Sequence, residues 1–525
     1  MIQVSLNRQC FQYDVHSLVR AFYPGEEVRV DCGQSADEGK KSDRVPVAGC
    51  RQEPDKKDAV RPDTELFFLK ITFVPEAAGR SQIRMLLLEN AEERLCRESF
   101  CCEEDRHETK NELKRLLYQL LSGYSGKTLP WGNLTGIRPT KIPMALLNQG
   151  WKNSAIADYM RKTYYTSNEK TALAIAIANR ERYLLEKLCL NQEEDRTQTI
   201  PEPLWNGYSL YIGIPFCPSI CLYCSFSSSP IALWKNQVDA YLDTLLYEME
   251  RVSKLLPGRG PDTVYIGGGT PTTLEPEQLD RLLSKVESCF DLGRTQEYTV
   301  EAGRPDSISR EKLSVLKKHG ITRISINPQT MNQETLDFIG RKHTVEETRD
   351  AFFLAREMGF DNINMDLIVG LPGEGASEVE HTMQVLSAMA PDSITVHSLA
   401  VKRAARLRLF REEHRELTFE NSSAIMDMTA AYTREAGLHP YYLYRQKNMA
   451  GNFENVGYAR EGCEGLYNIL IMEEIQTILA LGAGASTKLV LPGNRISRVE
   501  NVKDIKNYME RIDEMIERKR AGLYG

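Results

Sequence analysis

The chain has no apolar run long enough to cross a bilayer. Its longest apolar stretches, such as Tyr467 to Met472 and Leu367 to Val369, fall far short of the roughly 20 residues a spanning helix needs. It has no basic surplus either. Sixty-six Lys and Arg stand against 73 Asp and Glu, a formal net charge of −7, which excludes the electrostatic footprint of a non-specific nucleic-acid binder. Hydrophobic residues at 42 % and charged residues at 26 % exclude a collagen, a disordered tail protein and a small disulfide scaffold. Met1 to Arg8 lack the basic-then-apolar layout of a signal peptide. These absences predict a cytoplasmic protein with no membrane span, in a compartment where thiols stay reduced. The 12 cysteines are therefore read as free thiols and metal ligands. Cys10, Cys32, Cys50, Cys96, Cys189, Cys289 and Cys463 are scattered and read as bystanders, and the adjacent Cys101 and Cys102 suit two ligands of one tetrahedral metal poorly.

A length of 525 residues exceeds what one core usually fills, so two or three domains are expected. An N-terminal α+β extension spans 1–203. It opens on a strand at Gln3 to Leu6 and continues into a polar stretch from Gly33 to Asp63. Seven acidic and seven basic residues there leave little apolar surface to bury, which predicts a mobile segment. Leu66 to Phe73 and Arg84 to Leu88 read as a strand pair around a turn at Pro75 to Gly79. Leu113, Leu116, Leu117, Leu120 and Leu121 have helical spacing, and further helix runs to about Leu188. A charged, proline-bearing link, Glu193 to Pro203, closes the region.

From 204 to 416 the pattern changes to short β-branched runs alternating with amphipathic segments. The strand candidates are Ser209–Ile214, Thr263–Ile266, Tyr298–Glu301, Arg323–Asn327, Asn362–Ile368 and Ser393–His397; Gln237–Leu256 and Val345–Met358 are two of the helices between them. Six βα units in a row predict parallel strands with right-handed crossovers. In barrel-like α/β folds the chemistry gathers at the C-terminal strand ends. A smaller C-terminal domain, 417–525, ends in a helix from Val502 to Arg518 whose Ile505, Tyr508, Met509, Ile512, Met515 and Ile516 form one stripe packed on the body.

The strongest motif is Cys217-Pro-Ser-Ile-Cys221-Leu-Tyr-Cys224, directly after the first of these strands. Three thiolates on one tight loop can hold three corners of an iron–sulfur cube and leave the fourth iron open to a ligand. Structural zinc normally wants four ligands, and no fourth Cys or His stands close by in sequence. A glycine run, Gly267 to Gly269 followed by Thr270, ends the second strand; alone it signals only a turn or a close backbone approach.

Tyr211 to Cys224 resembles the signature of radical S-adenosylmethionine (SAM) enzymes, in particular the oxygen-independent coproporphyrinogen III oxidase family. That resemblance implies a partial (β/α)6 TIM-type barrel. It assigns Cys217, Cys221 and Cys224 to a [4Fe–4S] cluster, and Tyr211, Gly268, Gly269, Thr270, Glu301, Gln329, Arg341, Asp366, Ile368 and Ala400 to SAM. Arg341 suits a carboxylate because a guanidinium offers paired donors, and Asp366 suits a ribose hydroxyl because a carboxylate accepts. Outside the barrel, Leu134 to Lys141, Pro391 to Ala400, Tyr441 to Asn448 and Leu481 to Ser486 resemble the HemZ-type coproporphyrinogen dehydrogenases. Tyr441 to Tyr444 reads equally as a core strand. Arg138, Lys141, Arg445 and Lys447 read as receivers of substrate carboxylates or as solvated charges.

The resemblance further implies oxidative decarboxylation of coproporphyrinogen III propionates to vinyl groups, giving protoporphyrinogen IX in haem biosynthesis. An external low-potential electron donor and an electron acceptor would serve it. Two positions depart from the decarboxylases: Phe226 stands where they have a further cysteine, and Gly213 where they have a histidine. Phe226 resembles the related haem-chaperone branch, so binding and delivery of haem is the alternative function.

Overall fold

The computed structural model describes residues 1–32, 66–76, 79–102, 104–136, 138–188, 201–256, 258–400, 421–446, 453–493 and 495–525. The expected mobile segment at 33–63 and most of the expected link at 193–203 lie outside the described residues. Contacts divide the chain into two units, Met1–Gly136 with Trp151–Ala172, and Ile137–Gly150 with Leu173–Gly525.

The first unit is built on five strands, β1 (Ile2–Leu6), β2 (Val28–Cys32), β3 (Phe67–Pro75), β4 (Arg80–Glu89) and β5 (Glu92–Cys102), in the order β2-β1-β3-β4-β5. β1 runs parallel to both its neighbours, and β3, β4 and β5 form an antiparallel meander. Alternation decides which face is covered. Phe67, Leu69, Ile71 and Phe73 are buried while Lys70 between them is exposed. Two helices, Gln12–Phe22 and Arg106–Ser125, lay Val15, Leu18, Val19, Phe22 and the expected leucine stripe on that face. Asp105 caps the second helix by accepting from the backbone N–H of His107 and Glu108. The helix at Gln12–Phe22 and strands β2 and β5 were not expected from the sequence. β5 is mostly exposed, with five charged residues, and is a strand because β4 offers it a ten-pair register, which local pattern does not reveal.

The second unit holds the six expected parallel strands. They are β6 (Tyr208–Ile214), β9 (Thr263–Gly268), β10 (Glu297–Glu301), β11 (Arg323–Ser325), β12 (Ile363–Val369) and β13 (Ser393–Ser398), adjacent in chain order; the two-residue strands β7 (Phe216–Cys217) and β8 (Ser229–Pro230) pair apart from them. β6 and β12 are buried almost throughout, as a sheet covered on both faces requires. Helices Val238–Ser253 and Val345–Glu357 stand close to where the periodicity places them. The second starts at a capping box formed by Thr344 and Glu347. The architecture is thus the expected α/β parallel sheet with helical crossovers. Among the described residues no pairing joins its outer strands.

The C-terminal region continues this same sheet at both edges. β15 (Asn455–Ala459) and β14 (His439–Tyr444) add antiparallel beyond β13. β16 (Thr477–Leu481) adds parallel beside β6, followed by β17 (Ser486–Leu491) and β18 (Arg495–Glu500). The last helix is two, Ile505–Glu510 and Ile512–Tyr524, broken at Arg511. Its stripe buries Ile505, Tyr508 and Met515, and one polar residue joins them: Lys519 is fully buried with its Nζ 2.8 Å from Oε1 of the equally buried Glu248. Tyr508 Oη and the Gly482 N–H also donate to Glu248. No helix among the described residues is long and apolar enough to cross a membrane.

Candidate active site

The cysteine loop leaves the C-terminal end of β6 at Pro215. Cys221 is 8 % exposed; Cys217 and Cys224 are half-buried. Burial pushes the thiols of Cys217 and Cys224 above the usual cysteine range. The loop is tied down on one side by Leu222 N–H to the Ile339 carbonyl (3.0 Å) and by Ser219 Oγ to the Gly340 carbonyl (3.1 Å). Leu222 and Tyr223 pack against Ile339, Ile368, Leu371 and Leu399, which places Ile368 at the end of β12 beneath the loop.

The glycine run stands on the other side. Gly269 N–H donates to the Ile214 carbonyl and Thr270 N–H to the Phe216 carbonyl, both at 2.7 Å. A side chain on Gly269 would place its Cβ 2.4 Å from the Phe216 oxygen, and Gly268 has φ +106°, so both positions require glycine. Thr270 Oγ1 reaches Cys217 Sγ at 3.6 Å, joining two motifs that lie 53 residues apart in sequence.

Polar side chains line the ends of the strands next to this seam. Tyr211 and Tyr265 are register partners on β6 and β9 with stacked rings 6.3 Å apart. Tyr467 stacks on Tyr265 at 4.5 Å. Tyr265 Oη donates to Glu301 Oε1 at 2.5 Å, yet burial, with Asp366 adding to it, still pushes the Glu301 carboxyl up to about 7. Burial also pulls on Asp366, but there His397, Asn364 and Thr395 outweigh it and hold the carboxyl below its usual value. Asn364 Nδ2 lies 2.7 Å from Asp366 Oδ1, and His397 Nε2 lies 3.6 Å from Asp366 Oδ2.

Gln329 takes φ +69°, unusual for a residue with a side chain. Its N–H donates to the Asp366 carbonyl and its carbonyl accepts from Ile368 N–H, so the residue is wedged against β12 with its side-chain oxygen buried and without a partner. Arg341 donates through Nη1 to the Asn327 and Pro328 carbonyls and through Nη2 to the Gly303 carbonyl, which leaves Nε as its orphaned donor. It therefore pins the ends of β10 and β11 in addition to any ligand role. Ala400 is half-buried two residues beyond β13.

Three residues of this constellation escape a reading of the sequence. Tyr265 is findable, since it sits at the position opposite Tyr211 once β6 and β9 are paired in parallel. His397 stands inside a recognisable motif, but nothing local marks it as the partner of Asp366. Arg304 has no local signal at all: it follows β10 by three residues, is 3 % exposed, and reaches back to the cysteine loop.

Tyr441 and Tyr442 are buried in β14, the core-strand reading. Arg138 pairs with Glu474 at 2.5 Å, Arg445 is buried, Lys141 is exposed, and Lys447 lies outside the described residues. The glycine at 482 serves strand packing, because a Cβ there would meet the Gly213 carbonyl oxygen at 2.4 Å.

The donor set fits the implied groups. Cys217, Cys221 and Cys224 stand on one loop, and a cluster takes each thiolate on a different iron. A backbone cradle that excludes side chains, an orphaned donor at Arg341, an orphaned acceptor at Gln329 and half-buried carboxylates at Glu301 and Asp366 stand at the strand ends. Fold and site together define a radical SAM protein.

Comparison with known proteins agrees. The radical SAM superfamily model matches residues 211–386. The oxygen-independent coproporphyrinogen-III oxidase-like protein HemZ of Bacillus subtilis is 41 % identical over 416 residues, 78 % of this chain and 80 % of that protein. The haem chaperone HemW of the same organism is 33 % identical over 311 residues, 58 % of this chain and 76 % of that protein. The solved structure of coproporphyrinogen III oxidase (HemN) from Escherichia coli aligns with TM-score 0.49 at 22 % identity, over 64 % of this chain and 73 % of that one. The chain belongs to the radical SAM superfamily and, within it, to the group of HemZ-like proteins. That family uses a [4Fe–4S] cluster and SAM.

Proposed function

We propose that this protein is a radical SAM oxidoreductase that decarboxylates the propionates of coproporphyrinogen III to vinyl groups. The observation that carries the reading is the joining of the cysteine loop to the glycine run through Thr270, in a chain 41 % identical to a HemZ protein over most of both lengths. Cys217, Cys221 and Cys224 hold the cluster. The backbone of Gly268, Gly269 and Thr270 and the Glu301 carboxyl would hold the methionyl part of SAM. Tyr265, stacked on Tyr211, orients the Glu301 carboxyl through its hydroxyl. Gln329, Asp366, Ile368 and Ala400 would hold the nucleoside, and Arg341, with Nε unpartnered, would bind the SAM carboxylate. Bound together, cluster and SAM supply hydrogen-atom abstraction after one-electron reduction. The chain's own part is to bind, orient and exclude water from these groups. An external low-potential donor and an electron acceptor complete the reaction.

The test is anaerobic turnover of reconstituted protein with SAM, a low-potential reductant, an electron acceptor and coproporphyrinogen III. Mass spectrometry follows the tetrapyrrole and 5′-deoxyadenosine together. Loss of carboxylates in step with deoxyadenosine is the expected result; an unchanged tetrapyrrole beside an intact cluster and bound SAM refutes it.

One observation favours a second reading, haem handling. Phe226, two residues beyond the last cysteine, is 73 % exposed, and a HemW chaperone is 33 % identical across three quarters of its length. Stable binding of added haem by the purified protein, read from its absorption spectrum, with no tetrapyrrole turnover would establish that function instead.

A further inference from the structure

Arg304 is built into the cysteine loop in a way that the ligand assignment does not require. Its Nε and Nη2 donate in parallel to Asp306 Oδ1 and Oδ2 at 2.9 and 2.8 Å, which fixes the plane of the guanidinium. That leaves Nη1 for the loop: 3.0 Å from Ser219 Oγ, 3.5 Å from the Ser219 carbonyl and 3.9 Å from Cys221 Sγ. At 3 % exposure the charge is shielded from water. A guanidinium does not deprotonate in a protein, so this cation persists at every working pH. His343 is fully buried 4.0 Å from Asp306, and burial holds its imidazole far below the usual histidine range, so it adds no second charge to the pair.

We propose that Arg304 is a positioning residue for the cluster that raises its reduction potential through a fixed cation and an N–H donor at the Cys221 sulfur, with Asp306 setting how much of that charge the cluster feels. The inference rests on the cluster reading above. Reduction adds one electron, from an external low-potential donor, to a group already made negative by three thiolates. Hydrogen bonds and positive charge at the ligand sulfurs stabilise the reduced form preferentially. A tie that only held the loop would need no charge, because Ser219 is already bonded to Gly340 on its other side.

The experiment compares wild type, Arg304→Gln, Arg304→Lys and Asp306→Asn in the full chain after anaerobic reconstitution. Iron content is measured first. Midpoint potentials are then taken by electron paramagnetic resonance during titration with dithionite and mediator dyes. Arg304→Gln is expected to lower the reduced-to-oxidised ratio at the wild-type midpoint by about tenfold, which is about 59 mV for one electron. Arg304→Lys keeps most of the wild-type value. Asp306→Asn moves the midpoint upward, because it uncovers the arginine charge. Opposite directions for the Gln and Asn variants support the proposal. Unchanged midpoints, or both variants moving the same way, overturn it and leave a structural tie. If Arg304→Gln takes up no iron, Asp306→Asn decides alone, an upward move supporting and no move refuting. A wild type that takes up no iron overturns the cluster reading and this inference with it, and the iron assay shows which of the two has failed.

Discussion

Replacing Glu301 with Gln tests the description of the site before any cofactor is added. Burial raises this carboxyl from 4.5 to about 7 in the folded protein. The native state therefore holds the proton more tightly than the unfolded chain. Its contribution to stability is full below pH 4.5 and is lost as pH climbs to 7. At 1.36 kcal/mol per unit of pH, the ionised carboxylate costs the apo protein about 3 kcal/mol once the pH is above both values. The glutamine side chain of the variant would keep the Tyr265 bond and carry no charge, so it escapes that cost. Urea unfolding of the two apo proteins at pH 5 and pH 8 should show Glu301→Gln gaining about 2–3 kcal/mol on wild type across the interval. A constant difference between the proteins at both pH values would refute the buried, proton-holding environment. The same variant should bind SAM more weakly than wild type at pH 8, the usual opposition between a charged binding group and the stability of its empty site.

Cys217→Ala, Cys221→Ala and Cys224→Ala should each abolish the brown absorbance and iron content after anaerobic reconstitution, while Cys289→Ser and Cys463→Ser leave both unchanged; full iron in all three alanine variants would remove the ligand assignment. Asp366→Ala should weaken SAM binding, measured by equilibrium dialysis, and leave iron content as in wild type; unchanged affinity would remove Asp366 from the nucleoside site. Lys519→Ala leaves Glu248 without its fully buried cation and should cost about 3–5 kcal/mol in urea unfolding; a loss below about 1 kcal/mol would mean that the pair is open to water.

The cysteine spacing, the glycine run and the six strand–helix alternations are local signals, and each is written in a few consecutive residues. They were therefore legible: a C-x3-C-x2-C loop after a β-branched run reads the same before and after folding. The leucine stripe of Arg106–Ser125 and the alternation of β3 are legible for the same reason, since side-chain period follows secondary structure directly. The resemblance to a family added the residues at strand ends that no local rule singles out, such as Gln329 and Arg341.

What only the tertiary structure decided is pairing at long range. β5 is a charged edge strand that exists because β4 is beside it, and β14 to β18 join the main sheet because its two edges were open to them. The burial that moves Glu301, the orphaned oxygen of Gln329 and the positive φ that puts it there depend on neighbours drawn from distant segments. Arg304 is the sharpest case. Its sequence neighbours make it an ordinary residue of a loop start, and only the fold sets its guanidinium beside a cysteine 83 residues away. Local chemistry is carried by the order of residues, whereas the electrostatics of a site belongs to groups that meet only in space.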